Sequence, residues 1–111
     1  RGDGMTGVGV GTRIVRARAR VAATPEEALD ELEPGDVLVV AGTTPAFNLV
    51  LSLAGGVVTA DGGPMCHAAV IARELGIPAI IGARAALTDI PDGAMVELDP
   101  TAGTVRVLAR T

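Results

Sequence analysis

Chemically reactive side chains are few in this sequence. Its 111 residues include one histidine, one cysteine and no lysine or tyrosine. The absence of lysine excludes a Schiff-base mechanism and the phosphate-loop motif G-x-x-x-x-G-K-[ST]. The one serine, Ser52, lies in the apolar run Leu-Val-Leu-Ser-Leu-Ala and lacks the G-x-S-x-G pattern of a nucleophile elbow. Cys66, His67 and the carboxylates are therefore the candidate nucleophiles.

His67 lies where a predicted buried strand, a glycine turn and a predicted helix follow one another. The strand covers residues 57–60, the turn is Asp-Gly-Gly-Pro at 61–64, and the helix runs from about residue 66 to residue 75. Free backbone N–H groups and the positive end of the helix dipole make such a junction favourable for anions. The same field favours a neutral imidazole, whose lone pair can attack phosphorus.

The residues on either side of His67 are small. Once the histidine carries a phosphoryl group, the N–H groups of Ala68 and Ala69 would hold it, and Gly62 and Gly63 leave room for an incoming phosphate donor. A histidine that only caps the helix or lies on the surface is the competing interpretation. The helix start, the glycine pair and the two alanines together favour His67 as a phosphoryl acceptor.

Cys66 and Arg73 have less direct interpretations. A thiolate at a helix start can be a nucleophile, but adjacent helical residues do not face each other, so a Cys66–His67 dyad is geometrically poor. We interpret Cys66 as a small packing residue that shapes the site. One cysteine and one histidine also leave a zinc site two ligands short. Arg73 lies about 120° around the helix from His67, which favours a contact with a partner domain or a surface ion pair.

The remaining pattern predicts one α/β domain over residues 1–111, with about six to seven short strands and three helices. Arginine alternates with alanine and valine over residues 12–22, which is typical of a strand with a solvated face. Thr24-Pro-Glu-Glu27 is a capping box that begins a helix ending at Leu32. A second helix is predicted over 46–54. Further strands are predicted at 36–41, 57–60, 79–81, 95–98 and 105–108.

A run of alternating glycines precedes the first predicted strand. Gly7, Gly9 and Gly11 spell G-x-G-x-G, but a dinucleotide fingerprint must follow a strand and open a helix. We interpret the run as a flexible turn or a close approach of two backbones.

Charge and composition exclude several partners. The net charge is −4 and Phe47 is the only aromatic residue, which argues against nucleic-acid binding by a basic surface or by base stacking. No apolar run reaches the roughly 18 residues of a membrane span, and a single cysteine cannot form an internal disulfide. These features predict a cytoplasmic protein without a membrane partner.

One long segment matches a known family. Residues 62–78, Gly-Gly-Pro-Met-Cys-His-Ala-Ala-Val-Ile-Ala-Arg-Glu-Leu-Gly-Ile-Pro, resemble the active-site signature of the phosphohistidine domain in phosphoenolpyruvate (PEP)-utilising enzymes. That family includes PEP synthase, pyruvate phosphate dikinase, enzyme I of the sugar phosphotransferase system and rifampicin phosphotransferase. Residues 43–45 and 58–59 fall where the family has a T-x-P turn and a V-T pair, and the resemblance extends over nearly the whole chain.

The resemblance implies a swivelling β/β/α domain of a longer multidomain phosphotransferase. His67 corresponds to the histidine that is transiently phosphorylated and shuttles phosphate between a nucleotide-binding domain and a PEP/pyruvate or other acceptor domain. Many members have threonine where this chain has Met65, so Thr43, Thr59 or a backbone carbonyl is left to orient the imidazole. No cofactor is expected in this domain, whereas Mg²⁺ and ATP or PEP are expected in partner domains. A stand-alone phosphocarrier and a non-catalytic interaction module are the alternatives.

Overall fold

The structure is a computed structural model that describes residues 4–109. Over these residues eight strands alternate with four helices and one turn of 3₁₀ helix, Pro45–Phe47. The strands are β1 (Gly4–Thr6), β2 (Val8–Val10), β3 (Val15–Val21), β4 (Val37–Val40), β5 (Gly56–Thr59), β6 (Ala79–Ile81), β7 (Met95–Asp99) and β8 (Thr104–Ala109). The helices are α1 (Pro25–Glu31), α2 (Asn48–Leu53), α3 (His67–Leu75) and α4 (Ala86–Asp89).

All eight strands belong to one mixed sheet in the order β1-β8-β7-β3-β4-β5-β6-β2. The strands from β3 to β6 run parallel, as expected for strands joined by helical crossovers. β7 and β8 form an antiparallel pair beside β3. The first half of β3 pairs with β7 and its second half pairs with β4, so β3 joins the antiparallel part of the sheet to the parallel part.

The chain segment 4–10 connects the two ends of this strand order. β1 pairs with β8 at one end and β2 pairs with β6 at the other, with only Gly7 between them. Gly7 N–H donates to the carbonyl of Gly103 at 2.9 Å, and a Cβ on Gly9 would overlap the carbonyl oxygen of Pro100. The glycines therefore allow a close backbone approach that closes the sheet on itself.

Two apolar clusters lie on the two faces of the parallel strands. Because side chains alternate along β4, Leu38 and Val40 pack with helices α1 to α3, whereas Val37 and Val39 pack with β7, β8 and Met5 of β1. Both faces of these strands are thus buried, which explains their continuous apolar sequence. The arrangement is a β/β/α fold of mixed α/β class, and the predicted fold is confirmed.

Most predicted elements agree with the structure. The predicted cap of α1 is formed at Thr24, whose Oγ1 accepts from Glu27 N–H at 3.1 Å, whereas Glu27 Oε1 accepts from the N–H of Ala23, one residue before the N-cap, at 2.9 Å. The strand count is eight instead of six or seven, because β1 and β2 were not predicted; of the glycine run, Gly9 lies in β2 and Gly7 lies between the two strands. Gly11, with φ of +91°, makes the turn that follows them. The four-residue helix α4 was also not predicted.

The arginines of β3 do not share one environment. Arg16 and Arg18 are exposed, as predicted, and Arg16 Nε lies 2.7 Å from Glu97 Oε2. Arg20 is instead half-buried, with its Nε 3.1 Å from the buried Asp36 Oδ2. The prediction of a fully solvated arginine face is therefore wrong at Arg20, because this end of β3 pairs with β4 beneath the loop that carries Asp36.

Candidate functional site

The candidate site lies at the carboxyl edge of the parallel strands. β4 and β5 are parallel neighbours, so the loops that follow them, residues 41–44 and 60–66, leave the sheet side by side. Backbone hydrogen bonds join these loops directly, from Ala60 N–H to Val40 O at 3.0 Å and from Asp61 N–H to Ala41 O at 2.8 Å. This pairing brings Thr43 of the first loop to His67 at the end of the second.

Both ring nitrogens of His67 have a hydrogen-bonding partner. Nδ1 lies 2.7 Å from Thr43 Oγ1, in a partly buried contact. Nε2 lies 3.0 Å from Asn48 Oδ1, in an exposed contact. His67 is the first residue of α3 and its side chain is half-buried. The ring is thus held in one orientation, with Nδ1 towards the protein and Nε2 towards solvent.

Of the two threonines predicted to orient the ring, only Thr43 contacts it. Thr59 is fully buried, and its hydroxyl donates to the carbonyl of Asp61 at 2.7 Å and accepts from Gly82 N–H at 3.3 Å. Because these two bonds use the hydroxyl proton and an oxygen lone pair, Thr59 fixes the loops after β5 and β6 instead of the imidazole.

The two glycines before His67 differ in their requirements. Gly62 has φ of +103°, a conformation that residues with a Cβ rarely adopt, and a Cβ there would lie 3.1 Å from Cys66 Sγ. A Cβ on Gly63 would meet no atom within 4 Å. The backbone requirement for glycine therefore falls on Gly62, while Gly63 leaves open space beside the turn.

Cys66 and Arg73 hold the loop in place. Cys66 N–H donates to Gly63 O at 3.1 Å, and its half-buried thiol packs against the helix-side core. The Arg73 guanidinium donates to the carbonyl of Pro64 at 3.4 Å from both terminal nitrogens. Arg73 makes no ion pair among the described residues, and its contact with a partner domain stays a prediction.

The first turn of α3 presents free backbone donors next to the ring. Ala68 and Ala69 are buried, and no side chain of the described residues caps this helix start. The helix ends at Gly76, which has φ of +73°. The uncapped N–H groups and the helix dipole give this position a positive potential suited to an anion.

A small cavity opens beside the imidazole. Its volume is about 110 Å³, below the roughly 300 Å³ at which pockets for whole small molecules begin. Asp61 supplies its one carboxylate, and no arginine of the described residues lines it. The lining residues are Gly42, Thr43, Thr59, Asp61, Gly62, Cys66, His67 and Ala68. A cavity of this size accommodates a phosphoryl group rather than a nucleotide.

The sequence did not point to Asn48 or Asp61 as parts of the site. Asn48 falls in the first turn of the helix predicted over 46–54, whereas α2 begins at Asn48 itself after the 3₁₀ turn. A polar residue at the start of a helix that follows a strand end is the signal that could have identified it. Asp61 was interpreted only as part of the glycine turn.

Residues 4–109 contain neither a metal-binding cluster nor a membrane-spanning helix. No group of three or more histidine, cysteine, aspartate or glutamate side chains there is placed to hold a metal ion. Nor does that part of the chain contain a helix long and apolar enough to cross a membrane.

Comparison with known proteins gives a consistent result. Residues 32–103 match the family model described as PEP-utilising enzyme, mobile domain. A phosphoenolpyruvate synthase from Aeropyrum pernix is 41% identical over 91% of this chain, and a rifampicin phosphotransferase from Bacillus cereus is 41% identical over 96% of it. The chain spans 12% of the length of each of these relatives.

A solved structure extends the comparison. The NMR solution structure of an Enzyme I protein is 31% identical, covers 71% of this chain and 33% of its own, and superposes with a TM-score of 0.61.

Proposed function

The chain belongs to the family of PEP-utilising enzyme mobile domains, and on this premise we propose that it is a phosphoryl-carrier domain whose His67 is transiently phosphorylated. The observation that carries the proposal is the position of the single histidine. Its ring is held at both nitrogens, at an uncapped helix start, beside a cavity of about 110 Å³.

The geometry favours Nε2 as the atom that takes the phosphoryl group. Nδ1 is enclosed by Thr43, whereas Nε2 lies on the exposed side of the ring. A lone pair on Nε2 attacks phosphorus in line, the N–P bond forms as the donor O–P bond breaks, and the leaving oxygen keeps the electron pair. Nδ1 keeps its proton throughout, and this N–H group donates a hydrogen bond to Thr43 Oγ1. The reverse reaction delivers the phosphoryl group to an acceptor.

The domain supplies only part of what phosphoryl transfer needs. The N–H groups at the start of α3 can hold the phosphoryl oxygens, but residues 4–109 line the cavity with a carboxylate and with no arginine. Phosphoryl transfer ordinarily requires cationic groups around the transferred phosphate. We therefore place the compensating charge, Mg²⁺ and the ATP or PEP in partner domains, so that the isolated domain does not turn over alone.

The names and lengths of the relatives suggest what those partners are. The matched relatives are named as a PEP synthase and a rifampicin phosphotransferase, and this chain covers a small part of each. We propose that a nucleotide-binding domain loads His67 and that a PEP/pyruvate or other acceptor domain receives the phosphate. These partners belong to the same protein or to a companion protein.

Phosphorylation of the complete protein tests the proposal. The protein that contains this chain is incubated with radiolabelled ATP or PEP, and the label is mapped by peptide mass spectrometry. We expect an acid-labile, base-stable phosphate on His67, which disappears in His67→Ala and persists in Cys66→Ser. Label on Cys66 or on a carboxylate, or label that survives in His67→Ala, would contradict the assignment.

A further inference from the structure

Asn48 contacts the ring nitrogen that the proposed chemistry uses. It is the first residue of α2, its side chain is exposed, and its Oδ1 lies 3.0 Å from His67 Nε2. This is the one hydrogen bond that the Asn48 side chain makes within residues 4–109. The amide can therefore rotate about χ2 without losing another contact.

The orientation of the Asn48 amide determines which ring nitrogen carries the proton. An amide oxygen only accepts, so Oδ1 facing Nε2 requires a proton on Nε2. In the neutral ring the lone pair then resides on Nδ1, where it accepts from the Thr43 hydroxyl at 2.7 Å. This tautomer has no lone pair on its exposed nitrogen, so it cannot attack a phosphate that approaches from solvent.

A half-turn of the Asn48 amide reverses this arrangement. It places Nδ2 where Oδ1 was, and Nδ2–H then donates to the lone pair of Nε2. The proton moves to Nδ1 by exchange with water. The Nδ1–H group then donates a hydrogen bond to Thr43 Oγ1, because a hydroxyl can accept as well as donate. The two states have the same heavy-atom positions, so neither disturbs the packing.

We propose that Asn48 is a positioning residue that selects the histidine tautomer, an inference that rests on the proposed phosphorylation of His67. With Oδ1 facing the ring, the carrier is in a resting state with Nε2 protonated. With Nδ2 facing the ring, Nε2 carries the lone pair, which becomes free to attack when Nδ2–H transfers its hydrogen bond from Nε2 to an oxygen of the incoming phosphoryl group. After the N–P bond has formed, Nδ2–H donates to a phosphoryl oxygen, and the proton on Nδ1 stays there and donates to Thr43 Oγ1. Asn48 thus stabilises the attacking form and the phosphorylated form by one rotation.

Asn48→Asp is the sharpest test, because aspartate has the same shape and can only accept. Negative charge at the start of a helix is favourable, so the variant is expected to fold. It should hold the proton on Nε2 and repel the phosphoryl oxygens. Loss of a hydrogen bond to a charged group corresponds to about tenfold to hundredfold slower phosphorylation. Asn48→Ala removes both the acceptor and the donor of the amide without adding a charge, so it should slow phosphorylation less than Asn48→Asp does. Ser52→Ala on the same helix should leave the rate unchanged.

Two measurements separate this inference from the proposed function. Because His67 is the only histidine of the chain, nitrogen-15 NMR of the 111-residue chain reports its tautomer without ambiguity. We expect both tautomers in the wild type and a clear increase of the Nε2-protonated or doubly protonated ring in Asn48→Asp. Single-turnover phosphorylation is measured in the complete protein. A wild type that takes no label overturns the proposed function together with this inference. A wild type that is labelled, beside an Asn48→Asp variant with unchanged rate and tautomer population, overturns the role of Asn48 alone.

Discussion

Replacement of Thr43 by valine removes the hydroxyl that holds His67 Nδ1 while keeping the shape of the side chain. The bond is short, at 2.7 Å, and partly buried. Nδ1 carries a proton when Nε2 attacks, and this proton becomes more acidic as the ring gains positive charge in the transition state. A hydrogen bond to a charged group contributes about 1.5–3 kcal/mol. We therefore expect Thr43→Val to slow phosphorylation of His67 by about tenfold to hundredfold.

The assay is single-turnover phosphorylation of the complete protein, followed by rapid quenching in base. Thr43→Ser restores a hydroxyl at the same position and should recover most of the rate. Thr44→Val is the matched control: Thr44 Oγ1 accepts from Ala46 N–H at 3.3 Å and does not contact the ring. It should lower the free energy of unfolding by about 0.5–1 kcal/mol without changing the rate. A Thr43→Val rate within twofold of wild type would refute the role of the Thr43 bond, and an equal loss in Thr44→Val would attribute the effect to the loop as a whole.

Two further predictions concern stability, and both are measured by urea unfolding. Gly62→Ala should lower the free energy of unfolding by about 1–2 kcal/mol because φ is +103° there, whereas Gly63→Ala should change it by less than about 0.5 kcal/mol; equal effects would show that the turn has a different conformation. Arg20→Gln should cost about 1–3 kcal/mol because it leaves the buried Asp36 without its cation, whereas Arg18→Gln should be near neutral. Arg20→Gln should therefore lower the free energy of unfolding more than Arg18→Gln does, and the reverse order would contradict the structure.

Local signals in the sequence accounted for much of the fold. The capping box at Thr24 and the apolar runs of β4 and β5 depend on neighbouring residues, so spacing alone could predict them. β1 and β2 could not be predicted in this way. They are glycine-rich, and their pairing with β8 and β6 depends on residues far away in the chain. α4 is too short, at four residues, to show a helical period.

The candidate site was predictable to the extent that one segment contains it. His67, Gly62 and the start of α3 lie within a single stretch, and the scarcity of other nucleophiles directed attention to it. Thr43 could only be one candidate among several, because its selection over Thr59 depends on which hydroxyl is already bonded elsewhere. Asn48 was missed because it reaches the ring through the parallel pairing of β4 with β5, and a single sequence does not show that adjacency.

The strand segment 4–10 also has a consequence for biosynthesis. Gly4 pairs with Arg106, so the first described strand leaves the ribosome long before its partner in β8 does. Until then β1 and the neighbouring edge of β7 have no partner, and unpaired strand edges are prone to association with other chains. The parallel core of β3 to β6 can form during translation, but the sheet closes only after residues 104–109 have emerged. A ribosome-bound chain that ends before β8 should therefore remain sensitive to protease in its N-terminal segment, and protection should appear in a single step once β8 is released.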